Sequence, residues 1–177
     1  MGEQTVESNT VIISEVAWSG TAAGVYYEWM ELYNTSGETI SLNGWQLSDG
    51  GDSTINLTGS LAEGQYHLLE RFDDAVYDVG ADQVYIGVLS DGGETLTLTK
   101  DQQTVIDTAN IQASAWPAGG GSPNFFSMER RDQSIGDEPD NWLSNDGQTR
   151  NGLDVNGLPI NGTPRQPNST WAVEPVD

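Results

Sequence analysis

Glu28 and Glu31 stand three residues apart in Glu28-Trp29-Met30-Glu31-Leu32-Tyr33-Asn34, and Glu15 follows the apolar run Val11-Ile12-Ile13. Carboxylates in such settings can form the acid and nucleophile of a hydrolase, ligate a metal, or accept structural hydrogen bonds and pair with arginine. Strict alternation puts Glu15 on the face of Val11 and Ile13, and Glu28 on the face of Met30 and Leu32. A carboxylate beside core positions is costly to desolvate unless it gains a partner. The structural role is therefore favoured, ahead of calcium and then of catalysis, which needs a cleft joining at least two of the three.

The other chemical groups are sparse. His67, the single histidine, sits in Gln65-Tyr66-His67-Leu68-Leu69 without the partners of a serine triad or a zinc site, and is read as structural. There is no cysteine, which excludes a thiolate metal site, a disulfide framework and a cysteine nucleophile. No phosphate loop, dinucleotide fingerprint or Gly-x-Ser-x-Gly elbow is present. Hard oxygen ligands make calcium the metal to consider, at Asp73 and Asp74 with Asp78 and Asp82 nearby, and at Asp154. None of these follows the EF-hand spacing, so solvated acidic loops are the favoured reading. Trp18, Trp29, Trp116 and Trp171 occupy loops or strand faces open to a contact surface or a glycan, although packing is the commoner use of such rings. Trp45 and Trp142 read as core anchors.

The elements that must position these groups are strands. Short runs rich in Val, Ile, Tyr, Trp and Thr, closed by Gly, Asn, Asp or Ser, predict strands at 10–17, 28–34, 40–48, 53–57, 65–70, 83–87, 95–99, 104–108 and 127–130. Met30, Leu32, Leu96 and Leu98 are the core side of their strands by alternation. Two similar segments, Leu47-Ser48-Asp49-Gly50-Gly51 and Leu89-Ser90-Asp91-Gly92-Gly93, predict hairpin connections. From Gln133 onwards Asn, Asp, Gly and Pro dominate, predicting a long irregular strap packed through Trp142, Leu143 and Ile160. The expected organisation is a disordered leader at 1–9, one all-β sandwich domain at 10–168, and a linker at 169–177.

Charge narrows the partners. Lys100 and five arginines face 27 acidic residues in the 177-residue chain, for a formal net charge of −21. Such a surface repels phosphate backbones, so direct nucleic-acid binding is disfavoured. Acidity of this degree fits a soluble extracellular surface first, and a salty habitat or cation binding after it. No stretch has the roughly 20 apolar residues of a membrane helix. Met1-Gly2-Glu3-Gln4 has neither a basic nor an apolar signal region, so an export signal is expected to have been removed ahead of it.

In order, the blocks resemble the lamin tail domain family in its prokaryotic form. They are Ile12-Ile13-Ser14-Glu15-Val16, the run from Glu28 to Asn34, Leu42-Asn43-Gly44-Trp45-Gln46-Leu47, Gly64-Gln65-Tyr66-His67-Leu68-Leu69 and Val105-Ile106-Asp107-Thr108. Ser127-Met128-Glu129-Arg130, Asn141-Trp142 and Asn161-Gly162-Thr163-Pro164 continue the likeness to about residue 168. The resemblance implies an immunoglobulin-like β-sandwich. Eukaryotic members end nuclear filament proteins and engage chromatin, but this chain lacks coiled-coil heptads and its charge opposes DNA. Prokaryotic members resemble accessory modules of secreted or surface proteins, sometimes attached to hydrolases, and no catalytic residue carries over. The expectation is a non-catalytic binding or spacer module, secreted or at the cell surface, contacting a protein or surface component. The alternatives are a calcium-assisted carbohydrate-binding or adhesion module and, last, a carboxylate hydrolase.

Overall fold

The computed structural model describes residues 10–51, 53–112 and 114–171. The expected leader, 1–9, and the end of the expected linker, 172–177, lie outside these residues. Twelve short strands run in order: β1 Val11–Ala17, β2 Trp29–Asn34, β3 Ile40–Ser41, β4 Trp45–Ser48, β5 Thr54–Asn56, β6 Ser60–Leu61, β7 Tyr66–Glu70, β8 Gln83–Val84, β9 Leu96–Lys100, β10 Thr104–Ala109, β11 Met128–Arg130 and β12 Trp142–Ser144. A six-stranded sheet has the order β12-β11-β1-β2-β7-β8, a four-stranded sheet β10-β9-β4-β5, and β3 pairs with β6. Apart from a 3-10 turn at Pro139–Asn141, no helix occurs among the described residues.

The two larger sheets enclose one apolar core. Ile13, Met30 and Leu32 meet Leu47, Leu96, Leu98 and Ile106 there, as alternation requires of two inward faces. This is the expected immunoglobulin-like sandwich. The outer face of the six-stranded sheet is also covered, because Ala17, Trp29 and Leu68 form a second cluster with Ala75, Val76 and Ile160. Hence all seven residues of β1 are buried, although only Val11, Ile13 and Val16 of them join the core between the sheets.

The strands and turns depart from the sequence expectations at three places. The register of β1 against β2 shifts between Ile13 and Glu15, so Ser14 is an extra residue and the side-chain phase reverses. Val11, Ile13 and Val16 therefore face the main core, while Glu15 points to the opposite face from Ile13. The segment at 40–48 breaks at Asn43-Gly44, where Gly44 has φ +84°, into β3, which pairs with β6, and β4, which pairs with β5 and β9. Of the two look-alike turns, the first does join a hairpin, β4 to β5, with Asp49 accepting from the Gly51 and Ser53 amides. The second crosses between sheets, since β8 pairs with β7 and β9 with β4 and β10. The glycine turn is local, but Leu89 N donates to Glu28 and Trp116 Nε1 donates to Ser90 O, which anchors the crossing segment.

The strap begins with a strand that local pattern missed. β12 pairs with β11, burying Trp142 and leaving Leu143 exposed rather than packed. Beyond it, residues 145–171 cross the outer face of the six-stranded sheet. They do not loosen into a linker at residue 169, because Ser169 Oγ donates to Glu129 and Trp171 Nε1 donates to Arg130 O. Trp171 also meets the Tyr33 ring edge-on at 5.1 Å.

Candidate functional site

The bulge at Ser14 brings three carboxyl groups into one row. Glu15 on β1 lies directly opposite Glu129 on β11 and Glu31 on β2, and all three side chains are 0% exposed. Directly opposed residues on adjacent strands have Cβ atoms about 5 Å apart, so like charges there repel. The strap supplies most of the donors. Thr163 N donates to Glu15 Oε1 at 2.8 Å and Ser127 Oγ donates to the same oxygen at 2.6 Å. Asn145 Nδ2 and Ser169 Oγ donate to Glu129 at 2.8 and 2.6 Å. Arg165 N donates to Glu31 Oε2 at 2.6 Å, while Glu31 Oε1 has no partner.

Thr163 Oγ1 lies 2.8 Å from Glu15 Oε2 and 3.1 Å from Glu129 Oε1. A hydroxyl has one proton to give, so both contacts are satisfied when Glu15 keeps its acid proton, donates it to Thr163, and Thr163 donates to Glu129. Burial pushes Glu15 up to about 8, with the Glu129 charge adding to the rise against the hydrogen bonds from Ser127 and Thr163. Burial, and then the Glu15 charge, hold Glu31 well above the usual carboxylate range. Gly162 lets the strap come this close: a Cβ there would lie 2.6 Å from the Trp29 ring and 2.9 Å from Glu15 Oε1.

Glu28 is not part of the row. Its Oε2 accepts from Leu89 N at 3.1 Å and its Oε1 lies 3.7 Å from Arg71, with burial lifting it to about 7 against both. Glu28 is buried apart from the row, and the three carboxyls of the row are closed to solvent. Acid and nucleophile chemistry at these carboxylates has no access to a substrate in this conformation.

Sequence reasoning passed over three further groups. Asp107 and Arg130 form an ion pair at 2.6 Å inside the sandwich. Asp107 Oδ2 also accepts from Ile13 N, and Arg130 Nε donates to Ile13 O, so the pair takes up the backbone that the bulge frees. Burial raises Asp107 to about 6 against the Arg130 charge, which leaves it ionised at neutral pH. Arg130 also lies over the Trp142 ring, 4.5 Å from its centroid. Glu70, buried at the end of β7, accepts from Val76 N and is lifted to about 7 by burial. Glu129 follows the same alternation as Ser127, on the face opposite Met128, and that phase was its sequence signal.

The proposed calcium aspartates serve loops. Asp78 accepts from Leu153 N, Asp82 accepts from Leu68 N and pairs with Arg165 at 2.8 Å, and Asp154 accepts from Asn156 N and Leu158 N. Asp73 and Asp74 lie between β7 and β8, beside Glu70. Among the described residues, no group of three or more His, Cys, Asp or Glu is placed to hold a metal ion. His67 is buried, which depresses its imidazole below the usual value against the pull of Asp82.

The tryptophans are largely withdrawn from contact. Trp29 is fully buried beneath the strap, which corrects its reading as a contact aromatic. Trp116 is buried too, stacked on the half-buried Trp18 at 6.1 Å and donating to Ser90 O. Exposed aromatics lie elsewhere, at Tyr26, Phe72 and Tyr77, with Arg71 over the first two rings.

Fold and site together define an immunoglobulin-like β-sandwich whose most unusual groups are roofed rather than presented. The chain belongs to the Lamin Tail Domain family, whose match spans residues 4–113. β11, β12 and the strap lie beyond that match. No curated protein matches the chain. Among solved structures it is similar to a DUF4876 family protein from Bacteroides thetaiotaomicron, with 14% identity over 94% of this chain and 70% of that one, and a TM-score of 0.48. No helix among the described residues is long and apolar enough to cross a membrane.

Proposed function

We propose that this chain is a non-catalytic binding or spacer module of an exported or surface protein, acting through protein or surface contacts. The sequestration of Glu15, Glu31 and Glu129 carries this reading: Glu15 and Glu31, suited to acid–base work by their raised pKa, are committed together with Glu129 to holding the strap. Membership of the lamin tail family supports a module role. The net charge of −21 supports a soluble surface outside the cell. The burial of Trp29 and Trp116 removes two of the four rings on which a glycan platform would rest.

A panel of glycosides, esters, phosphodiesters and peptides tests the reading, with wild-type protein beside Glu15→Gln and Glu31→Gln. No turnover is expected from any of the three proteins. Turnover by the wild type that either substitution abolishes would replace the module with a hydrolase.

A further inference from the structure

The free edge of the six-stranded sheet differs from the rest of the surface. β8 contributes only Gln83 and Val84, yet the chain continues past it in the same alternation. Tyr85 and Leu89 are buried, whereas Val84, Ile86 and Val88 are exposed, Ile86 at 96%. The last ladder-like bond is Tyr85 N to Glu70 O. Among the described residues, no hydrogen bond engages the backbone of Ile86, Gly87 or Val88. At the near end Gln83 closes the gap to β5, donating to Asn56 O and accepting from Thr58 N. Past Tyr85 the Ser53 side chain packs over Gly87, but among the described residues no hydrogen bond joins the edge to β5.

Natural sheets protect such edges with lysine, proline or a covering loop. Here the edge carries three β-branched apolar side chains in a row of alternate positions and no basic residue. Resting on the module reading above, we infer that residues 84–88 are a strand-addition site for an extended cationic peptide segment of a partner protein. Backbone bonds to Ile86 and Val88 would supply affinity, and alternate apolar side chains on the added strand would cover the ridge. Charge selects the partner. Asp49 borders the same depression as Val88 and Leu89, and Asp91 and Glu94 act on Glu28, which holds the Leu89 amide. Arg71 and Arg165 are already paired with Glu28 and Asp82. A second copy of this chain brings another 21 negative charges to the edge, so a basic segment is the fitting occupant.

Fluorescence anisotropy with a short capped peptide alternating lysine and valine tests this at about 0.15 M salt, where long-range attraction is screened. Saturable binding is expected. Ile86→Lys and the double change Val84→Thr with Val88→Thr should each weaken it about tenfold or more with the melting temperature held, because these side chains are exposed. N-methylation of alternate peptide amides should abolish binding on one of the two phases. The inference is overturned if the wild type does not bind, or if a peptide with the same lysines and valines in separate blocks binds equally, which would mark charge attraction alone. It is overturned too if the ridge mediates self-association that Ile86→Lys removes. Absence of binding without turnover on the substrate panel would remove this site and leave the contact-module reading standing, whereas turnover would remove the module.

Discussion

Replacing Glu15 by Gln removes one ionisable proton and keeps the shape of the neutral acid. The amide can accept from Ser127 and Thr163 N through its oxygen and donate to Thr163 Oγ1 through its nitrogen, the pattern the row requires. Burial, with Glu129 opposite, lifts the folded-state pKa of Glu15 from 4.5 to about 8. The folded chain therefore holds this proton more tightly than the unfolded chain. The resulting stability is fully present below about 4.5, declines as pH rises from there, and is lost once pH passes about 8. Glu31 changes in the same sense, and so do Glu28 and Glu70 as pH passes through about 7. Strap charges that face the row include Arg165, whose guanidinium is itself held by Asp82. Melting temperatures from pH 5 to pH 9 should fall for the wild type and fall less for Glu15→Gln, with the variant the more stable of the two at pH 9 by on the order of a few kcal/mol. Parallel curves for the two proteins would mean that Glu15 is not the proton holder of the row.

At the level of elements, the strap is held by shape as much as by hydrogen bonds. A methyl group at Gly162 would press into the rigid, buried Trp29 ring and into Glu15 Oε1, which Ser127 and Thr163 hold in place. Overpacking of this kind costs about 1–3 kcal/mol. Gly162→Ala should lower the melting temperature and speed amide exchange at Thr163 and Arg165, while Gly37→Ala, which has open space around it, should do neither. Unchanged exchange at Thr163 would show that the strap does not depend on this contact. Alternation made β2 and β9 legible, because Met30, Leu32, Leu96 and Leu98 each keep one phase through their strand. In β1 it misled, because one extra residue at Ser14 reverses the phase without changing the composition, and nothing about Ser14 itself marks it. Glu15 and Glu31 could thus be named among the carboxylates to consider, but alternation set Glu15 on a core face and Glu31 opposite Met30 and Leu32, so the two were not placed side by side. The crossover after β8 was equally hidden: its turn chemistry matches the β4–β5 hairpin, and only long-range bonds from Glu28 and Trp116 separate them.

For the whole molecule, the extent of the family match and the extent of the folding unit differ. Residues 4–113 match the family, yet the six-stranded sheet takes β11 and β12 from beyond that span. Asp107 lies inside the span and its ion-pair partner, Arg130, lies outside it. Breaking a buried pair by removing one member costs about 3–5 kcal/mol, since the remaining charge stays desolvated. Ending the chain at residue 113 would also uncover Trp29 and Leu68, remove every strap donor to Glu15 and Glu31, and leave β1 as a new sheet edge. Against the usual 5–15 kcal/mol of a whole domain these losses are decisive. A chain of residues 10–113 should therefore show no cooperative thermal transition and should bind dyes for exposed apolar surface, where residues 10–171 unfold in one step. Supplying residues 114–171 as a separate chain should restore the transition, because the two pieces share a sheet and a core. A cooperative transition in 10–113 alone, at a similar temperature, would mean that the sandwich is self-sufficient and that the row of carboxyls is covered, rather than built, by the strap.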